Sequence, residues 1–160
     1  MPNIIRIRDY QTEDTQALAN IYYNTIHRVN IRDYSQAQVD AWAPSDSVDD
    51  YSGWLEKLEK IKPFVAVTGE KIVGFAEFEP NGHIDCFYCH HEWQGKGVGS
   101  ALMQYIFEKA DQQTIPRICA EVSITAKPFF ERKGFNIVKE QIVTLRGVEL
   151  KNFVMEKVIG

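Results

Sequence analysis

An alternating run, His83-Ile84-Asp85-Cys86-Phe87-Tyr88-Cys89, is followed by Gln94-Gly95-Lys96-Gly97-Val98-Gly99, and that turn opens onto an amphipathic helix at Ser100. A strand, a glycine-rich turn and a helix in this order force consecutive backbone amides to gather at a helix N-terminus. Glycine removes the side chains that would hold an anion away from those amides, and the helix dipole favours negative charge there. The order predicts a phosphate-binding turn, with Lys96 adding a formal positive charge. Two other glycine-rich patterns fit less well. A dinucleotide fingerprint GxGxxG needs glycine where Ser100 stands, although Glu121 has about the spacing of a ribose-binding acid. The pattern GxxxxGK[ST] is absent.

Around the turn, the periodicity predicts alternating strands and helices. Ile4 to Arg8 reads as a strand, and Thr12 as the cap of a helix carrying Leu18, Ile21, Tyr22 and Ile26 on one face. Ser35-Gln36-Ala37-Gln38 is a capping-box pattern for a second helix, which Pro44 stops, and Ser47 starts a third bearing Trp54, Leu55, Leu58 and Ile61. Phe64–Val67 and Ile72–Phe78 read as strands, and Asn81-Gly82 is a hairpin signal leading into His83. Ala101, Leu102, Tyr105, Ile106 and Ala110 form a helical stripe before the strand Ile118–Val122. A helix between the strands at His83 and Ile118 makes them parallel neighbours, whose carboxyl ends mark a ligand site. The segment from Phe135 to Val158 reads as a hairpin turning near Arg146-Gly147. The expectation is one domain, residues 1-160, of mixed α/β type.

Composition narrows the partners. With 160 residues, 44% hydrophobic and 25% charged, the chain is an ordinary globular domain. A formal charge of -4 and the lack of a lysine or arginine block argue against nucleic acid and mildly favour a cationic acceptor. No apolar h-region or membrane-length stretch is seen, so a cytoplasmic location is expected, with no membrane partner. Cys86-Phe87-Tyr88-Cys89-His90 spells CxxCH, the letters of haem attachment. On a strand, however, residues three apart point to opposite faces and cannot grip one haem or one metal. Buried, reduced cysteines, with no haem and no metal, are the expectation.

Gln94, Gly97 and Gly99 match Gln/Arg-x-x-Gly-x-Gly/Ala, the pyrophosphate loop of the GNAT superfamily of acetyl-CoA-dependent N-acetyltransferases, which this chain resembles. Downstream, Ser123-Ile124-Thr125-Ala126-Lys127-Pro128-Phe129-Phe130-Glu131-Arg132-Lys133-Gly134-Phe135 is similar to the family's second signature. The two signatures cover about the middle and last thirds of the chain. The resemblance implies a mixed, mainly antiparallel sheet with a central splayed parallel strand pair, flanked by helices. It also implies transfer of an acetyl group from acetyl-CoA to an amine of a small molecule or peptide, by direct attack in a ternary complex. An acyl-CoA-binding sensor that has lost turnover is the alternative, and a homodimer is left open.

Carried over by position, the backbone of Phe87, Tyr88 and Cys89 would pair with the pantetheine arm. Gln94, Gly95, Lys96, Gly97, Val98, Gly99 and Ser100 would hold the pyrophosphate, and Ser123 and Phe130 would line the cofactor site. Deprotonating an amine of pKa about 10.4 at pH 7 costs about 4.6 kcal/mol, so a base is valuable. Asp85 is the candidate, where several relatives carry a glutamate on this strand and burial would raise its pKa. His83 and Glu77 are the other two. Phe130 stands where the family commonly has a tyrosine that assists the departing thiolate, leaving Ser123 and Tyr88 as the hydroxyls nearby. The acceptor wall, formed in the family by the first two helices, would here be His27, Arg28, Arg32, Tyr34 and Trp42. The aromatics suit a cation or planar ring, the arginines a carboxylate or phosphate.

Overall fold

The computed structural model describes residues 4–159. A seven-stranded sheet runs β1 (Arg6–Asp9), β2 (Phe64–Thr68), β3 (Lys71–Phe78), β4 (His83–Cys89), β5 (Arg117–Ser123), β7 (Val148–Val158) and β6 (Asn136–Leu145) in spatial order. Every neighbouring pair is antiparallel except β4 and β5, as the intervening helix required. Helices α1 (Thr15–Arg28) and α3 (Tyr51–Ile61) pack Leu18, Ile21, Trp54 and Leu58 against Val65 and Phe75 on one face. Helix α4 (Val98–Gln112) covers the other with Leu102, Met103 and Ile106, beside Phe130 of α5 (Lys127–Arg132). Helix α2 (Gln36–Trp42) joins Val39 to Ile26, Tyr34 and Leu150 in a third cluster.

The helix starts follow local chemistry. At Ser35 the capping box is complete: its Oγ accepts from the Gln38 N–H at 3.1 Å, and Gln38 Oε1 accepts from the Ser35 N–H at 2.8 Å. At α1 the expected Thr12 cap is not used. Thr12–Asp14 form a single 3-10 turn, and the buried Asp14 takes the Gln11 N–H at 2.8 Å and both nitrogens of the Arg8 fork at 2.8 and 3.0 Å. Burial alone would raise the Asp14 pKa, but Arg8 and the Gln11 amide outweigh it and hold the carboxyl below its ordinary value. Ser47 likewise opens only a 3-10 turn, and Asp50 caps α3 through the Gly53 N–H at 3.1 Å. No helix among the described residues is long and apolar enough to cross a membrane.

Two irregularities in the sheet create the site. Opposite β3, Phe78 faces Ile84 and Glu77 faces Cys86, so Asp85 is an extra residue in β4, a β-bulge. On its other side β4 pairs with β5 only at His83↔Cys119 and Ile84↔Ala120. Beyond Ile84 the two strands part.

Candidate active site

The parting of β4 and β5 opens a cleft of about 560 Å3, lined by both strands, by the glycine turn and by α5. Its root is held by His83, whose Nδ1 meets Glu79 Oε1 at 2.5 Å and whose Nε2 meets Glu121 Oε2 of β5 at 2.6 Å. Burial would lower the His83 pKa, but the two carboxylates prevail and raise it above the ordinary histidine value. With both ring nitrogens engaged, His83 is a clasp across the strand pair and has no free lone pair to serve as a base. Glu79, His83 and Asp85 bring their ligand atoms within 4.8 Å of one another, as do His90, His91 and Glu92.

Along β4 the backbone divides its duties by alternation. The His90 N–H donates to Val73 at 2.8 Å, and the same antiparallel register commits Tyr88 to Phe75. Tyr88's main chain is thus turned to β3, whereas Phe87 and Cys89 turn theirs towards the cleft. The Cys89 carbonyl already accepts from Thr25 Oγ1 of α1 at 2.8 Å and from Gln94 Nε2 at 2.9 Å. Gln94 therefore folds back to pin the turn to the strand end. Sequence reasoning gave Thr25 no role, because α1 meets this carbonyl only through the tertiary fold.

The turn has the expected form. Gly95 and Gly97 have φ of 72° and 89°, left-handed values that glycine adopts without a steric cost, and Gly97 is the N-cap of α4. The helix begins at Val98 rather than Ser100. Its first bond closes from the Ala101 N–H to Gly97 at 3.0 Å, so the amides of Val98, Gly99 and Ser100 have no partner within the helix. A Cβ at Gly99 would lie 3.0 Å from the Phe129 ring, so this glycine lets α5 approach α4. Lys96 is exposed, with Nζ 5.2 Å from the Trp93 ring centroid, and it does not line the cleft.

Opposite the turn, Ser123 Oγ accepts from the Ala126 N–H at 3.0 Å and from Asn30 Nδ2 at 3.3 Å. With its lone pairs taken, the hydroxyl proton is left to donate. Tyr88 lines the same cleft, and burial pushes its phenol well above the ordinary tyrosine value. Phe130 is buried against Phe87 and Phe135 at centroid distances of 5.6 and 5.0 Å. The thiols point apart: Cys86 packs towards α1 and α3, Cys89 towards α4. Burial raises both, Cys89 to about 12, so neither is a ready thiolate nucleophile.

The carboxylates differ from expectation. Asp85 lines the cleft but is exposed, because the bulge turns it out of the strand alternation instead of burying it between strands. Glu77, across the hairpin, is the perturbed group. Burial first, then Asp85 and Glu79, raise its pKa to about 7, and its Oε2 is buried with no hydrogen-bond partner. The Asn81-Gly82 turn was the signal that could have put Glu77 beside Asp85.

Of the five acceptor-wall candidates, Trp42 alone lines the cleft. His27 Nε2 is 2.6 Å from the Ala43 carbonyl, and the exposed Arg28 reaches Asn24 at 3.2 Å. Arg32 is exposed, and the buried Tyr34 hydroxyl donates to Lys151 at 2.6 Å while accepting from the Ile124 N–H at 2.9 Å. His27 ties α1 to the end of α2 and Tyr34 ties the α1–α2 connection to the sheet, whereas Arg28 bonds within its own helix and Arg32 is exposed. Thr25, Asn30 and Thr125 line the cleft in their stead, short polar residues of which only Thr125 falls within a sequence signature.

Known proteins agree with this architecture. The sequence model of the acetyltransferase (GNAT) domain matches residues 30–157. The uncharacterised N-acetyltransferase YafP of Escherichia coli (strain K12) is 38% identical over 153 residues, covering 96% of this chain and 95% of its own. A GCN5-related N-acetyltransferase structure from Rhodopseudomonas palustris superposes with TM-score 0.90 at 27% identity, over 99% of this chain and 98% of that one. The PaiA N-acetyltransferase of Thermoplasma acidophilum, solved in complex with coenzyme A, gives 0.72 at 17% identity, over 97% and 99%. With a family match across most of its length and a full-length relative at this identity, the chain belongs to the GNAT family of acetyltransferases.

Proposed function

We propose that the protein transfers the acetyl group of acetyl-CoA to an amine of a small molecule or peptide by direct attack within a ternary complex. The observation that carries this is the parting of β4 from β5 beyond Ile84, directly beside the glycine turn. The pyrophosphate lies on the amides from Gly95 to Ser100, and the pantetheine amide groups pair with the backbone of Phe87 and the N–H of Cys89, the Cys89 carbonyl being held by Thr25 and Gln94. The amine nitrogen attacks the thioester carbonyl, a C–N bond forms, the C–S bond breaks and CoA leaves as thiolate. The amine's proton passes to Asp85, which the cleft exposes, and Glu77 beside it supplies proton affinity near neutrality. Ser123 and Tyr88 are the donors to the departing sulfur, whose pKa of about 8.5 makes it a good leaving group without the phenol that Phe130 lacks. The partly buried thiols of Cys86 and Cys89, whose pKa values are raised, take no part, and the free cysteines suit a reducing, cytoplasmic setting. A homodimer belongs to the same proposal, through the β6 edge, where Ile137, Val138 and Ile142 are exposed.

Phe130 supports a second reading, an acyl-CoA sensor without turnover. Thiol release from acetyl-CoA across a panel of amines separates the two. Amine-dependent release establishes transfer, whereas tight acetyl-CoA binding with no release for any amine establishes the sensor.

A further inference from the structure

A second cavity, about 180 Å3, meets the cleft at Asp85, Cys86 and Tyr88 but lies on the other face of β4, beneath α1 and α3. Its walls are aromatic. Tyr22 meets Trp54 edge-on at 5.1 Å and Tyr88 at 4.9 Å, and Phe75 stacks on Tyr88 at 5.6 Å. Asp85 borders it, and Glu77 rises from the same face of β3 as Phe75. Ring faces beside carboxylates attract a partly desolvated cation. The chain already puts one there: Lys57 of α3 holds its Nζ 5.3 Å from the Trp54 ring and 5.7 Å from the Tyr22 ring. Lys57 is exposed, so its ammonium covers the recess from the solvent side and is free to swing away.

We propose that this recess is the acceptor site and takes a primary ammonium on a linear methylene chain, with Lys57 as the internal stand-in that the acceptor displaces. The inference rests on the acetyl transfer proposed above. A lysine side chain is itself a butylammonium, so the recess is already complementary to that shape. Its volume, about 180 Å3, is enough for a short alkyl chain. An α-amino acid is disfavoured, because its carboxylate would face Asp85 and Glu77. An amine seated here lies beside the cleft, because Asp85, Cys86 and Tyr88 wall both cavities. Free alkylamines or diamines and the lysine side chain of a peptide share this chemistry.

Calorimetry with n-butylammonium, without acetyl-CoA, tests the recess apart from catalysis. Lys57→Met keeps the stem and removes the competing charge. It is expected to tighten n-butylammonium binding about tenfold, while alanine binds neither protein. Equal n-butylammonium affinity in the two proteins, or alanine binding as well as the alkylamine, overturns the assignment. Turnover distinguishes the two levels of inference. Thiol release with other amines and no n-butylammonium binding leaves acetyl transfer standing and removes the recess. The expected binding pattern with no release for any amine supports the recess and removes transfer. Comparing 1,4-diaminobutane with Nα-acetyl-lysine methylamide then identifies the source: a lower KM for the first means a free amine, for the second a peptide, and either fits the recess.

Discussion

Glu77 is the residue whose environment has most to say about pH. An unfolded glutamate releases its proton near pH 4.3, whereas folded Glu77 holds it to about 7, so between these values the folded state binds more protons. Stability credited to this group is full below about pH 4.3, falls as pH rises towards 7 and is flat above. Glu77→Gln should remove that slope and raise stability at pH 8 by about 1 kcal/mol, the full shift being discounted for the solvent that reaches the side chain. Urea titrations at pH 5 and pH 8 measure it, and equal effects at both would show that the proton affinity is ordinary. The same substitution should abolish the acid limb of the rate profile near pH 7. Asp85→Asn removes a neighbouring negative charge, lowers the Glu77 pKa and should move that limb to lower pH while reducing the rate. If instead Asp85→Asn loses activity by one factor at every pH, the two carboxylates do not act as a pair. None of this was visible at either residue alone. Asp85 was expected to be buried between strands, but the bulge turns it out, and Glu77, one of the other two candidate bases, owes its raised pKa to burial and to neighbours that only the folded hairpin brings together.

At the scale of elements, the local patterns were the legible ones. The glycine turn, the Ser35 box, the Arg146-Gly147 hairpin and the parallel pair are each specified by neighbours in sequence, and the structure has them all. The acceptor wall was not legible, because His27 and Tyr34 answer to tertiary partners, and Arg28 and Arg32 to their own helix and to solvent, rather than to the cleft. Gly97→Val should weaken acetyl-CoA binding at least tenfold, since a β-branched residue resists φ of 89° and the N-terminal amides of α4 would turn away. Calorimetry on the folded variant checks this, and unchanged affinity would move the pyrophosphate elsewhere. Where α1 joins β1, Arg8→Met leaves Asp14 buried without its fork and should cost about 2 kcal/mol, partly relieved as Asp14 protonates in acid. Denaturation at pH 7 and pH 3 gives the test: a loss that is the same at both would mean that the pair is not what holds this junction.

For the whole molecule, acetyl-CoA should act as a brace between the separated halves of the sheet. At a hundred times its dissociation constant a ligand of the folded state adds about 2.7 kcal/mol, which for a chain of this size is a rise in melting temperature of about 5–10 °C. Scanning fluorimetry with and without acetyl-CoA reads it directly, and no rise at saturating ligand would contradict the assignment of the cleft. If β6 edges pair, sedimentation should show a dimer that Ile142→Lys dissociates, and a monomer at all concentrations would discard that part of the proposal. The extra residue in β4 reaches further than the opening it accompanies. Ile84 on one side of Asp85 and Phe87 and Cys89 on the other all pack towards α4, although their odd separations would alternate in a regular strand. Asp85 is thus a spare digit in the count of the strand: without it the separations from Ile84 to Phe87 and Cys89 become even, and a regular strand keeps those three towards α4 and Cys86 and Tyr88 on the opposite face. Deleting that one codon should therefore spare both cores and remove only the bulge and its outward carboxylate. A thermal melt of the deletion variant as low as that of a core truncation would show that the bulge does more than carry Asp85.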